Sequence, residues 1–192
     1  MTISWSSSTA DARWLGGSAA PWWQVITFGP ADFTTYARVR FIPDPVRPGQ
    51  AEADVEVPDD HPSDLEQTRA ALRVLARFTS TPQDCWFAVW EGYAGSIDIP
   101  AGLPLLDLPH RRYGLLRGDL AGIEGWEEAV GSRLAVAPAF VWPSDRSWCW
   151  ASDVDPHWAG VGAAEPAVRA LLDAPGLDVV RADPTAPQPA YS

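Results

Sequence analysis

The sequence predicts an α+β fold, a mostly antiparallel sheet of about six to eight short strands with two or three helices packed on one face. Three observations predict it. Short runs rich in aromatic and β-branched residues, such as Cys85 to Glu91 (CWFAVWE), are bounded by proline or glycine turns. The clearest helical period is confined to two segments, one beginning after Ser63 and one at Glu165. No strand–helix–strand run is long enough for a doubly wound sheet, and no internal repeat is visible.

Taken in order, residues 1–20 are rich in Ser, Ala and Gly and are expected to be loosely ordered, with Trp14-Leu15 as a docking point. A domain over residues 21–182 follows, and the tail 183–192 has a disordered composition. Trp22 to Phe28 (WWQVITF) reads as a first strand ended by Gly29-Pro30, and Ala31 to Tyr36 as a helical turn. Tyr36 to Ile42 sets Tyr36, Arg38, Arg40 and Ile42 against Ala37, Val39 and Phe41, the period of a strand with one buried face. Residues 43–62 form an acidic, proline-rich loop.

Ser63 with Glu66 three residues later has capping-box spacing and starts the principal helix. Its Leu65, Leu72, Leu75 and Phe78 keep roughly helical phase, while Arg69, Arg73 and Arg77 form a stripe read as a solvated face. Cys85 to Glu91 is a central strand with Trp86, Ala88 and Trp90 on one side. Short strands at Leu105 to Leu108 and Tyr113 to Arg117 flank the Pro109-His110-Arg111-Arg112 turn, and a short helix is expected at Trp126 to Leu134. Phe140 to Trp142 and Trp148 to Val154 make a hairpin around Pro-Ser-Asp-Arg, followed by a helix from Glu165 to Asp173 and a strand from Leu177 to Arg181.

Composition narrows the function classes. The 192 residues are 46% apolar with eleven tryptophans, enough for a substantial core. All fourteen basic residues are arginine, planar forks suited to carboxylates and aromatic faces. A net charge of −11 argues against a nucleic-acid partner, and His110-Arg111-Arg112 is too small a basic cluster to reverse that. No leader pattern and no run near the roughly 18 apolar residues of a membrane span is present, so a cytoplasmic protein without membrane contact is expected, as monomer or homodimer. Cys85 and Cys149 lie in apolar strands and read as buried reduced thiols, a disulfide requiring Cα atoms within about 7 Å.

Four blocks carry a resemblance: Phe33 to Ile42, Phe78 to Tyr93, Leu108 to Leu116 and Val141 to Ala163. In this order they resemble a group of actinobacterial proteins of unknown function with the pattern CWF.VWEG, LP.R.Y.L, WP.DR.WC.A.D.D and VG. The resemblance implies a soluble bacterial protein and transfers no catalytic role. This chain departs from the group at Pro156-His157-Trp158, where a Ser/Thr-rich segment is usual.

Among site candidates, Asp153, Asp155 and His157 fall on one face of an extended chain and have donor types that suit Zn²⁺, Mn²⁺ or Fe²⁺. Pro156 bends that register, and D-x-D often simply ends a strand. No G-x-S-x-G elbow, P-loop or dinucleotide glycine pattern appears, no cofactor is implied, and the reading leans to a non-enzymatic protein. The better-supported expectation is a binding surface in which Trp90 and Trp148 line a groove rimmed by Glu91, Tyr93, His110, Arg146 and Asp153. Its competitor is that the tryptophans are core and Asp145-Arg146 a turn with a local ion pair. The expected function is binding of a protein partner, in an immunity-type or regulatory role. The alternative is a small-ligand binder or metal-dependent enzyme with its site near Asp153, Asp155 and His157.

Overall fold

A computed structural model describes residues 2–93, 95–132 and 134–192. Among these residues nine strands form one sheet in which every pairing is antiparallel: β1 (Ser4–Trp5), β2 (Thr35–Arg40), β3 (Cys85–Trp90), β4 (Leu106–Leu108), β5 (Arg111–Gly118), β6 (Phe140–Pro143), β7 (Trp148–Ala151), β8 (Trp158–Ala163) and β9 (Val179–Ala182). Their spatial order is β1-β5-β3-β6-β7-β8-β2-β9, and β4 shares with β1 the outer edge of β5. The α+β class and antiparallel sheet are as expected, with slightly more strands.

Among the described residues five helices flank it: α1 (Arg13–Gly16), α2 (Trp22–Phe28), α3 (Asp64–Leu75), α4 (Trp126–Ala129) and α5 (Glu165–Leu172). They cover both faces, a correction to the one-face expectation. Alternation along the strands explains why both faces need cover. Cys85, Phe87 and Val89 of β3, with Trp148 and Trp150 of β7, join Leu65, Leu72 and Leu75 of α3 and Val168 and Leu171 of α5 in the larger core. Trp86, Ala88, Trp142, Cys149 and Ala151 face the other way onto Leu15 of α1 and Val25 and Ile26 of α2. The sheet is thus apolar on both sides, as a sheet buried in a sandwich of helices must be.

The segment Trp22–Phe28 is a helix, not a strand. Seven residues, five of them apolar, carry no decisive period, and neighbouring packing settles the matter. Gln24, Val25, Ile26 and Phe28 are buried on one side, and Gly29 at φ 82° ends the helix. Ala31 to Tyr36 is likewise no helical turn, since β2 begins within it at Thr35.

Strand β8 (WAGVGA) was not anticipated. A Cβ at Gly160 would collide with the Thr27 carbonyl and Phe28, and one at Gly162 with Phe33 and Tyr36. Glycine stands at these two positions because α2 and its following loop lie directly on the strand there. Its weak β-propensity is the consequence of that close approach.

The first twenty residues, expected to be loose, carry β1, paired with β5, and α1, whose Leu15 is fully buried. The tail has no strand or helix but is anchored. Tyr191 donates its hydroxyl to the Pro43 carbonyl, and the Ser192 amide donates to Gln50 at 3.1 Å. The capping box at Ser63 forms as read: Ser63 N–H donates to Glu66 Oε2 at 2.8 Å, and Glu66 N–H returns to Ser63 Oγ at 3.4 Å. Of the helix expected over 126–134, α4 keeps four residues, Gly131 at φ 63° lies just beyond it, and Arg133 lies outside the described residues.

Candidate functional site

Antiparallel registry decides which candidates meet. Trp90 ends β3 opposite Tyr113 of β5, so the β4–β5 turn with His110 and Arg111 lies at the same end of the sheet. Chain segments leaving β7 at Ser152 and leaving β2 at Phe41 arrive there too. Phe41, Asp64, Trp90, Tyr93, Ser152 and Asp153 line a cavity of about 260 Å³. Trp90, Tyr93 and Asp153 were singled out from the sequence, whereas Phe41 and Asp64 were not.

Arg111 organises this end. Its Nε and Nη2 donate to the two Asp153 oxygens at 3.2 and 3.3 Å, and its guanidinium carbon stands 4.9 Å from the Trp90 ring centroid. The Trp90 and Tyr93 rings meet edge to face at 5.5 Å. Asp155 is 3.8 Å from Arg111 but remains largely in solvent. Glu91 accepts a hydrogen bond from Arg112 Nε at 2.6 Å, which ties it to β5. His110, exposed and at φ 66°, packs its ring against Trp22 at 4.8 Å.

The electrostatic character of the cavity is acidic. Burial raises the Tyr93 phenol above its ordinary pKa, and the charges of Asp153, Asp64 and Asp155 push it the same way. Asp64 keeps solvent contact yet is raised as well, by burial first and then by Glu52, with His61 opposing.

The remaining candidates are not brought together. Trp148 is fully buried in the larger core and cannot line a groove, so the proposed Trp90–Trp148 surface is corrected. Arg146 lies in the β6–β7 turn, at the opposite end of the strands from Trp90. Asp145 does not pair with it. Asp145 instead accepts from the Ser80 amide at 2.7 Å, the Thr79 hydroxyl at 2.9 Å and the Ser147 amide at 3.0 Å. Burial alone would raise Asp145, but these bonds hold it down to about 2.

The Asp153, Asp155 and His157 trio is dispersed. Asp153 is committed to Arg111, and His157 turns inward, its Nε2 3.0 Å from Asp44 Oδ1. Asp44 also accepts from Arg38 at 2.6 and 3.0 Å and from Arg40 at 3.0 Å. Among the described residues no group of three or more His, Cys, Asp or Glu side chains has metal-holding geometry. Pro156 redirects the chain between Asp155 and His157, which a strict two-residue period ignores.

Both cysteines are free and buried, and they belong to the cores on opposite faces of the sheet. Burial, aided by the charges of Asp119, Asp84 and Asp145, pushes the Cys85 thiol up to about 12, and burial alone raises Cys149. Neither is an activated thiolate at neutral pH. Of the arginine stripe, Arg73 and Arg77 are exposed as a solvated face requires, and only Arg69 is largely covered. Arg69 donates to the Ile123 carbonyl at 3.0 Å and to Glu127, and Arg73 holds both oxygens of Glu124 at 2.9 and 3.0 Å.

Fold and cavity together define an all-antiparallel α+β protein with an acidic, aromatic pocket at one end of its sheet. Comparison with family models, curated proteins and solved structures finds no match to this chain. Among the described residues no helix is long and apolar enough to cross a membrane.

Proposed function

We propose that this is a non-enzymatic binding protein, of immunity or regulatory type, which takes a basic protein partner at the Trp90–Tyr93 end of the sheet. One observation carries the reading: Asp64 and Asp153 line a cavity walled by Phe41, Trp90 and Tyr93, and Asp155 lies beside it, 3.8 Å from Arg111. The cation at this site, Arg111, is already neutralised by Asp153, so the local field stays negative. The adjoining loop adds exposed Glu52, Asp54, Glu56, Asp59 and Asp60. An arginine or lysine side chain fits such walls, through the carboxylates and through the aromatic ring quadrupoles. At about 260 Å³ the cavity falls just below the roughly 300–1,000 Å³ of small-molecule pockets and suits a single inserted side chain.

The test begins with native mass spectrometry of protein purified gently from its own host. A co-purifying basic chain at fixed stoichiometry is expected, released by salt and lost in the double variant Asp64→Asn/Asp155→Asn. A partner of acidic or neutral character, or one indifferent to that variant, overturns the proposal. The concave form of the site favours one second reading, a small organic cation. Spermidine binding with no protein partner, abolished by the same double variant, would establish that reading instead.

A further inference from the structure

We infer that the opposite end of the sheet carries a second site, of opposite sign, for a small aromatic monocarboxylate. Trp14, Asp32, Phe33, Thr34, Arg146 and Ser147 line a cavity there of about 500 Å³. Of the thirteen described arginines, ten form ion pairs with carboxylates. The Arg146 side chain has no carboxylate among the described residues. Its guanidinium carbon lies 5.1 Å from the Trp14 ring centroid, which fixes the fork beside the cavity. Arg13 and Arg77 likewise have no ion pair among the described residues, but neither lines this cavity.

Two further groups at the same place lack partners. Trp14 Nε1 and Ser147 Oγ are buried with no hydrogen-bond partner among the described residues. A buried N–H that finds no acceptor is costly, so a donor set of guanidinium, indole and hydroxyl around one cavity calls for an acceptor. The turn is also held under strain. Arg146 adopts φ 53°, a left-handed conformation that suits glycine or asparagine. The Asp145 bonds to Thr79, Ser80 and Ser147 clamp the turn in that form, so that Arg146 projects over Trp14.

The ligand class follows from the wall chemistry. A planar carboxylate matches the guanidinium fork in two parallel bonds. Trp14 and Phe33, whose rings meet edge to face at 6.3 Å, offer an apolar surface to the body that bears it. Asp32 on the wall opposes a second negative charge, which favours a monocarboxylate over phosphate or a dicarboxylate. This site does not depend on the acidic pocket at the other end.

Sodium benzoate, inorganic phosphate and benzylamine titrated separately against the intact protein test the inference, read by the NMR shift of the Trp14 indole N–H. Benzoate is expected to bind saturably with Kd on the order of 1 mM, as suits a nine-atom fragment, and phosphate and benzylamine much more weakly. Arg146→Gln should weaken benzoate roughly tenfold or more. Arg146→Gly, which accepts the left-handed φ without strain, should do the same and serves if the glutamine variant misfolds. Asp64→Asn/Asp155→Asn should leave benzoate binding unchanged, which separates this site from the acidic pocket. No saturable shift up to the benzoate solubility limit, phosphate binding as tight as benzoate, or benzoate binding indifferent to both Arg146 variants overturns the inference.

Discussion

Arg111 and Asp153 are joined by two hydrogen bonds, Nε to Oδ1 at 3.2 Å and Nη2 to Oδ2 at 3.3 Å. The Asp153 side chain is only 9% exposed, so its charge rests on that one guanidinium. Arg111→Met would strand a nearly buried carboxylate at the pocket wall. A loss of about 3 kcal/mol is expected in urea denaturation at pH 7. The double variant Arg111→Met/Asp153→Leu should recover much of it, because no unpaired charge remains. A single variant as stable as the parent would show that the pair contributes nothing.

Asp44 provides the pH dependence. Burial would raise its carboxyl, but hydrogen bonds from Arg38, His157 and Arg40 outweigh that and hold it well below the usual carboxylate range. A depressed folded pKa means the contribution is complete above the unfolded value of about 3.9 and fades as pH falls below it. Asp44→Asn should therefore destabilise the protein by about 3 kcal/mol at pH 7, with a gap that narrows steadily in acid below pH 4 or so. Thermal melts of both proteins across that range measure it, and a pH-independent gap would refute the assignment.

Gly160 tests the close approach of α2 to β8. Gly160→Ala forces the Thr27 carbonyl and Phe28 to move, and overpacking of this kind costs roughly 1–3 kcal/mol. Gly49→Ala, where a Cβ would meet nothing but φ is 74°, provides a contrast in which only backbone strain acts. The urea midpoint should fall further for Gly160→Ala.

Trp148 and Trp90 separate folding from binding. Trp148→Ala empties a fully buried core position and should cost about 3–5 kcal/mol. Trp90→Phe keeps an aromatic ring at the half-buried pocket wall, so it should leave the fold largely intact while weakening capture of a basic partner. Chemical denaturation and partner co-purification on the same samples read the two effects apart.

Legibility in the sequence tracked the range of the interactions concerned. The Ser63–Glu66 box, the alternation along Cys85–Trp90 and the 140–151 hairpin rest on neighbours a few residues apart, and each was readable. Trp22–Phe28 is ambiguous in the sequence because its short, mostly apolar run gives no decisive period, and β8 is hidden because Gly160 answers to a helix some 130 residues away and Gly162 to the loop after it. Trp90, Tyr93 and Asp153, conspicuous in the sequence, line one cavity, whereas Arg111, which joins two of them, stands out there only as part of a small basic cluster.

The sequence by itself determined the α+β class, the antiparallel sheet, the principal helix and the acidic character, since period, capping and charge are local or additive properties. Only the tertiary structure decided that most tryptophans are core, that Asp153 and His157 face different partners, and that Arg146 and Trp90 lie at opposite ends of the strands. Those outcomes depend on strand order and registry, which pair residues by position in the sheet and leave no trace in their separation along the chain.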